Sequence, residues 1–299
     1  VVQLDLSRSN SEFNHFQSNI YAQLKPVNWL TLRTQYGIDY LLIDNDIFWT
    51  PVSGDGWSYN GYAWAGAEKY KTWLWTNTAQ FDYTFASKHS VNLLVGSEQQ
   101  RRTSSGYGIQ RQSLSDLAYD AVQAGFTTNN PADLFLGENY LFSKFGRANY
   151  NYNKKYFLSG NVRQDEYSAL GIKKGTFWGA SAGWQINKEN FWESAGLGKV
   201  FSDFRIRGSY GKVGNISGIG DYSPYSTFGS GLYGGNATLA FSSVGNDKLQ
   251  WETSTKTDVG FNFGLLKDRI SGEFSYYKNN IDHLILNVPQ SPSTGLPTS

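Results

Sequence analysis

A run of strictly alternating residues near the carboxyl end constrains the fold more than any other feature. Every second residue from Trp251 to Leu265 is apolar or threonine, and the residues between them are polar or glycine. This alternation predicts a β-strand with one apolar and one polar face. Ordinary strands contain about 5–6 residues, whereas a tilted strand that crosses a bilayer needs roughly 9–11. Lys267-Asp268-Arg269 then reverses the chain into a second long strand, so the pair predicts a transmembrane barrel hairpin.

The same pattern predicts eight further strands upstream, and the connections between the ten strands mostly alternate between short and long. Tight turns are predicted at 26–29, 87–88, 153–155 and 266–268, and long loops at 44–72, 103–140 and 212–249; a short link at 166–175 and a longer one at 187–202 are exceptions. Outer-membrane barrels place short turns in the periplasm and long loops outside, and a soluble sandwich has no reason to sort loops this way. The predicted fold class is therefore all-β, an antiparallel transmembrane β-barrel segment. Short helical turns are expected within Ser113–Gly125 and Glu189–Ala195.

Composition excludes several other classes of protein. The 299 residues carry a net charge of +1, which argues against a nucleic-acid-binding protein, and no apolar run approaches the ~18 residues of a spanning helix. Aromatic residues make up 16% of the chain, as expected for strands with interfacial girdles. There is no cysteine, so disulfides and thiolate metal sites are excluded. Because the chain starts at Val1 without a signal peptide and ends at Ser299, we expect it to be an internal piece of a longer protein.

Four motifs match patterns of cofactor, metal, catalytic or glycosylation sites, and none is convincing. Gly229 to Gly234 matches G-x-G-x-x-G but neither follows a clear strand nor opens a helix, so a flexible loop is the better interpretation. Asp44, Asp46 and Asp55 lack calcium-loop spacing, which favours a solvated loop. The three histidines are far apart in sequence and no G-x-S-x-G nucleophile motif is present. The Asn-x-Ser/Thr acceptors at 215 and 236 are chance matches in a bacterial barrel. We therefore predict no catalytic residue, cofactor or metal.

Two groups of residues could contact a substrate. Aromatic residues crowd one loop, and charged residues lie on the polar strand faces. Aromatic rings offer large contact area to sugars or peptide side chains, although they also pack loops. The charged residues, including Arg205, Arg207, Glu252, Lys256 and Asp258, are expected to solvate a wet barrel lumen. The candidate substrate-binding residues in the loop are Trp49, Trp57, Tyr59, Tyr62 and Trp64.

Several motifs follow one another along the chain. They are the hairpin strand Leu30–Tyr40, Ser159-Gly-Asn-Val-Arg-Gln-Asp165 with Trp178-Gly-Ala-Ser-Ala-Gly-Trp184, Arg205-Ile-Arg-Gly-Ser-Tyr-Gly-Lys-Val-Gly-Asn215, Gln250-Trp-Glu-Thr253 and Tyr276-Tyr-Lys278. In this order they resemble SusC/RagA-type TonB-linked outer-membrane transporters. The resemblance spans about residues 13–296. It implies about ten strands of a 22-stranded barrel, with an N-terminal plug and the remaining strands outside this sequence. Residues 1–299 would then be one partial barrel domain.

The resemblance also implies a function, a location and partners. These are TonB-dependent import of oligosaccharides or peptides across the bacterial outer membrane, a SusD-like surface lipoprotein, and a TonB complex reached through a segment outside this sequence. Lipid would contact the apolar faces, and the long loops would face the exterior. Two alternatives stay open at this stage: an outer-membrane barrel enzyme such as a lipase or protease, and a structural or adhesive β-protein whose apolar faces form a core.

Overall fold

The computed structural model describes residues 6–52, 54–130, 133–234 and 236–286, together with 288, 291 and 293. Val1 and Ser299, on which the expectation of an internal piece rests, lie outside them. The strands are β1 (Arg8–Val27), β2 (Leu30–Trp49), β3 (Tyr62–Phe85), β4 (His89–Leu114), β5 (Phe126–Asn129), β6 (Asp133–Tyr152), β7 (Tyr156–Tyr167), β8 (Lys174–Gln185), β9 (Phe201–Asn215), β10 (Thr227–Tyr233), β11 (Asn236–Ser243), β12 (Glu252–Leu265) and β13 (Ile270–Asp282). One helical turn, Asn190–Ser194, and 3-10 turns at Gly54–Tyr59, Ile186–Lys188 and Leu197–Lys199 lie in the connections.

Ten of these strands form one antiparallel sheet in the order β1-β2-β3-β4-β6-β7-β8-β9-β12-β13. Neighbours in space are neighbours along the chain except at two places. β4 pairs with β6 as well as with the short β5, and β9 pairs with β12 past the β10–β11 hairpin, which forms its own small sheet. Among the described residues, β1 and β13 each have a single neighbour, so the sheet has two open edges. The predicted antiparallel barrel segment of about ten strands is confirmed.

The strand register places polar residues on one face of the sheet and apolar residues on the other. Val259 of β12 pairs with Gly208 and Tyr276, whereas the next residue towards the amino end, Asp258, pairs with Ser209 and Tyr277. We call the face of Asp258 the inner face and the face of Val259 the outer face. The outer face exposes large apolar side chains on β1–β4, β7–β9, β12 and β13: Ile20, Leu24, Leu32, Tyr36, Trp75, Tyr83, Leu93, Val95, Leu158, Val162, Trp178, Trp184, Ile206, Tyr210, Val259, Phe274 and Tyr276. A surface of this extent fits contact with lipid.

A belt of aromatic rings borders the outer face at one end of the sheet. We call the end of the sheet with residues 28–29, 86–88, 153–155, 186–200 and 266–269 the turn end, and the opposite end the loop end. Phe85, His89, Tyr152, Tyr156, Trp184 and Phe191 follow one another at the turn end with centroid separations of 4.7–6.3 Å. Trp75 of β3 lies ten residues above Phe85, which is roughly 26 Å for a strand of ~3.4 Å per residue tilted by ~40°. That height matches the ~25 Å apolar band of a membrane barrel.

The long predicted loops are shorter in the structure, because the strands continue beyond the apolar band. Residues 62–72, 103–114 and 133–140 are strand, so the connections shrink to 50–61, 115–132 and 216–251. The last of these also contains the β10–β11 hairpin, which was not predicted. No helix forms in the described part of Ser113–Gly125, whereas the helical turn predicted within Glu189–Ala195 is present. Strand β12 begins at Glu252, and Trp251 lies outside it.

Buried apolar residues are concentrated in two small clusters at the loop end. The first consists of Tyr167, Ala169, Leu170, Phe177 and Trp251, and Leu170 is completely buried. The second consists of Phe48, Ala63 and Leu114. The clusters fix the connections onto the strands, while the spanning part of the sheet has no core of its own. Among the described residues, no helix is long and apolar enough to cross a membrane.

Candidate functional site

A network of charges on the inner face is centred on Arg163 of β7. Its guanidinium lies 2.7 Å from Asp165 and 2.9 Å from Glu98, and it donates to the Ser143 hydroxyl at 2.8 Å. Arg163 and Asp165 are two residues apart, so alternation places both on one face, and Glu98 reaches them from β4. Ser143 is completely buried and the Asp165 side chain is 10% exposed. The network therefore joins three strands across the inner face.

A second charged group lies lower on the inner face, towards the turn end. The Arg207 guanidinium is 3.9 Å from Asp258, 3.7 Å from Glu273, and donates to the Ser275 hydroxyl at 2.5 Å. Arg205 lies over the Phe157 ring at 4.8 Å. Together with Ser209 of the same strand and Ser181 of the neighbouring β8, Arg205 and Arg207 line a cavity of about 370 Å³. The inner face is thus polar and open to water, as predicted for the charged residues at 205, 207 and 258.

Small polar side chains continue this inner face across four strands. Asn92 donates to Asp82 at 2.5 Å, Asn149 donates to Asn92 at 3.0 Å, and Ser159 donates to Asn149 at 2.8 Å. These residues are cross-strand partners in register, so their hydrogen bonds run around the wall and not along it. A wall built this way presents donors and acceptors to the lumen without one dominant charge.

The structure brings together three of the five predicted aromatic residues and separates the other two. Trp49 stacks on Tyr62 at 4.7 Å, and Tyr59 contacts both rings at 6.3 Å and 5.4 Å. Trp57 projects from the 3-10 turn and is 72% exposed. Trp64 lies on β3 over Gly66 and Gly108, and a Cβ added at Gly108 would lie 2.8 Å from its Nε1. The glycines therefore create the space that this indole occupies.

Backbone hydrogen bonds hold the aromatic loop in place. The Leu114 amide donates to the Asn60 carbonyl at 2.7 Å, and the Ser113 amide donates to Gly61 at 3.2 Å. Gly61 has a φ of 88°, a conformation that favours glycine, and it turns the chain back into β3. Since the end of β4 fixes the loop, Trp57 is presented on a rigid support.

A second loop-end connection folds over the inner face. The Asp221 carboxylate accepts a hydrogen bond of 2.6 Å from the Asn139 side-chain amide, across 82 residues of sequence. Asn139 pairs with Arg102, whose side chain has inner-face parity on β4. The connection after β9 is therefore attached to β6 and partly covers the lumen. Sequence patterns gave no signal for this contact.

None of the catalytic or metal-binding motifs forms a site in the structure. His15 lies 3.2 Å from Asp39, but no serine or threonine hydroxyl of the described residues is hydrogen-bonded to this pair. His89 stacks on Phe85 in the turn-end belt and hydrogen-bonds Tyr150 at 2.7 Å. Asp46 pairs with Arg8 at 2.7 Å. Within the described ranges, no group of three or more potential ligands could hold a metal ion.

At the turn end, the carboxylate of Glu189 ties three elements together. It accepts hydrogen bonds from Trp184 at 3.1 Å and from Lys155 at 3.1 Å. The hydrogen bond from Tyr156, then those from Trp184 and Lys155 with the Lys155 charge, hold the pKa of this carboxyl below its usual value. Glu189 therefore fixes the 186–200 connection against the turn between β6 and β7.

Comparisons with known proteins agree with this architecture. The family model described as TonB dependent receptor-like, beta-barrel, matches residues 3–298. The chain is 28% identical to TonB-dependent receptor P39 of Formosa agariphila, over 97% of the chain and 28% of that protein. It is 27% identical to TonB-dependent receptor SusC of Bacteroides thetaiotaomicron, over 96% of the chain and 29% of that protein.

Solved structures show the same fold. A structure of the RagAB peptide transporter superimposes with a TM-score of 0.85 at 24% identity, covering 98% of this chain and 33% of that one. The sequence thus spans about a third or less of the length of the proteins it matches. The predicted SusC/RagA resemblance and the outer-membrane location are confirmed. The chain belongs to the TonB-dependent receptor-like β-barrel family, and its sequence is similar to that of SusC.

Proposed function

We propose that this chain forms part of the wall of a transporter that imports oligosaccharides or peptides across the outer membrane by a TonB-dependent mechanism. The observation that carries the proposal is the contrast between the two faces of one sheet. The outer face exposes apolar side chains to lipid, while the inner face is lined by hydrogen-bonding groups such as Asn92, Asn149 and Ser159. A wall of this kind encloses an aqueous path for polar solutes.

The loop end supplies the surface where cargo would first be held. Trp57 is exposed on a loop that backbone hydrogen bonds attach to β4, and Trp49, Tyr59 and Tyr62 form a stacked group next to it. Exposed rigid aromatics bind sugar rings and peptide side chains at low entropic cost. The similarity to SusC and RagAB supports a SusD-like surface lipoprotein as the partner at this end.

The described residues give no support to an outer-membrane enzyme. A hydrolase needs a nucleophile, a base and an orienting group within hydrogen-bonding distance of one another. The His15–Asp39 pair has no hydroxyl partner among the described residues, and His89 belongs to the aromatic belt. A non-enzymatic transporter is therefore the function we infer.

The test is substrate uptake by cells that carry the intact transporter with Trp57→Ala. We expect uptake to fall at least about threefold, because one stacking contact is worth about 0.5–1.5 kcal/mol beyond its buried area, while the amount of folded barrel stays unchanged. Tyr225→Ala is a matched control, since Tyr225 is also exposed at the loop end, in another connection. Unchanged uptake and unchanged co-purification of the lipoprotein in the Trp57 variant would show that this loop is only a structural covering.

A further inference from the structure

The turn end and the loop end carry opposite charge. The turn-end connections 86–88, 153–155, 186–200 and 266–269 contain seven basic and three acidic residues. The loop-end connections 50–61, 115–132, 168–173 and 216–251 contain two basic and five acidic residues. Because the whole chain is almost neutral at +1, this is a separation of charge between the two ends of the sheet, not an overall excess.

The acidic residues at the turn end are largely used within the fold. Glu189 is paired with Lys155 at 3.1 Å, and Asp268 accepts a hydrogen bond of 2.6 Å from Ser202. Of the three, only the Glu193 side chain has no hydrogen bond or ion pair within the described ranges. On the basic side, Lys188 donates to the Lys154 carbonyl at 3.2 Å. Five other exposed cations have neither a side-chain hydrogen bond nor a carboxylate partner within the described ranges: Lys88, Lys154, Lys199, Lys267 and Arg269.

Direct contacts join the turns into one continuous rim. The Asn153 amide donates to the Lys88 carbonyl at 2.6 Å, which connects the first two turns. The Lys155–Glu189 pair connects the second turn to the 186–200 segment, and the Leu266 amide donates to Val200 at 3.0 Å. The five unpaired cations therefore lie along a single edge. We call this edge, made of Lys88, Lys154, Lys199, Lys267 and Arg269, the basic rim.

The aromatic belt at the turn end adjoins the basic rim. Phe85 is three residues from Lys88, and Tyr156 is two residues from Lys154. Phe191 is 55% exposed and contacts Trp184 at a centroid separation of 6.3 Å, on the outer face. Such belts mark the boundary between hydrocarbon and headgroups. The cations in the turns just beyond the belt therefore lie at the depth of the lipid phosphates.

We propose that the basic rim binds the headgroups of anionic phospholipids in the periplasmic leaflet of the outer membrane. Charge complementarity identifies the partner: clustered cations next to an aromatic belt attract phosphate-bearing anionic headgroups more than zwitterionic ones. Each cation near the surface raises affinity for such a lipid about fivefold.

The experiment uses the full-length transporter in phosphatidylcholine nanodiscs that contain a trace of pyrene-labelled lipid. Energy transfer from tryptophan reports binding of labelled phosphatidylglycerol or, separately, labelled phosphatidylcholine. We expect phosphatidylglycerol to bind at least about fivefold more tightly, and Lys88→Gln/Lys154→Gln/Lys267→Gln/Arg269→Gln to remove the preference. The control Lys173→Gln/Lys248→Gln, at the loop end, should keep it. Because these side chains are exposed, we expect the variants to fold, and heat-modifiable mobility checks that they do.

Two further arms separate the lipid from other anions. Inorganic phosphate at millimolar concentration should not compete, because a single free ion lacks the anchorage of a lipid in the belt. Equal binding of the two labelled lipids by the parent, or an unchanged preference in the four-site variant, would overturn the proposal. A third result would also overturn it: the four-site variant no longer sediments with isolated peptidoglycan but keeps its lipid preference. The basic rim would then bind the cell wall and not lipid headgroups.

Discussion

The assignment of the outer face can be tested at Val259. Val259 lies six residues from Leu265, the last residue of β12 at the turn end, which is roughly 16 Å of height for a strand tilted by ~40°. In a band ~25 Å tall, this is close to the middle of the membrane. The side chain is 51% exposed in this sheet, and it faces lipid in our account. Arginine at such a site costs about 2–4 kcal/mol.

We therefore expect Val259→Arg to lower the folding equilibrium constant by roughly 30- to 700-fold. The matched control is Asn262→Arg, on the inner face of the same strand, where Asn262 already donates to Glu273 at 3.1 Å. An arginine there retains water and a carboxylate partner, so its cost should stay within about 1 kcal/mol. Both variants are measured in the full-length protein by denaturant unfolding in liposomes. Equal costs, or a larger cost at 262, would refute the assignment of the two faces.

Three further predictions follow from the strand edges and the polar contacts. Replacing Arg163 with methionine leaves Asp165 and Glu98 without their cation, and should cost about 1–2 kcal/mol of stability because the group is partly exposed. The control Lys174→Met breaks only the exposed 3.9 Å pair with Glu166 and should cost under about 0.5 kcal/mol. The lowered pKa of Glu189 means that its stabilisation is present above about pH 4.5 and is lost as pH falls through the folded value. The stability gap between parent and Glu189→Gln should therefore close in acid, and a gap that widens in acid would contradict this. Residues 1–299 expressed alone in detergent should aggregate, because β1 and β13 leave open edges, and a monodisperse heat-modifiable species would contradict that.

The spanning parts of the strands could be predicted because lipid on one side and water on the other impose alternation. Trp178, Ala180, Ala182 and Trp184 show it clearly, and the observed register of β8 agrees. Above the apolar band both faces meet water, so the pattern need not hold. Lys69 and Lys71, for example, have outer-face parity on β3. This is why residues 62–72 and 103–114 were wrongly predicted to be loops.

Long-range polar contacts could be predicted only in part. The spacing of Arg163 and Asp165 places them on one face, so their pairing is visible in the sequence. Their partner Glu98 is 65 residues away from Arg163 and depends on the register of the intervening strands. The contact between Asp221 and Asn139 likewise has no local signature. The aromatic loop was recognised from composition, but its stacking and the position of Trp64 over two glycines required the structure.

In the structure we describe, one face of this sheet contacts lipid and the other contacts water, and this difference can be measured directly. Since residues 1–299 contain no cysteine, single spin labels can be placed by Val95→Cys, Val162→Cys and Val259→Cys on the outer face, and by Asn149→Cys, Ser181→Cys and Ser209→Cys on the inner face. The measurement is label accessibility to oxygen and to a water-soluble nickel chelate, in the full-length protein in bilayers. We expect high oxygen and low chelate accessibility for the first three labels and the reverse for the last three. Equal accessibility for both sets, or chelate contact at 95, 162 and 259, would contradict it.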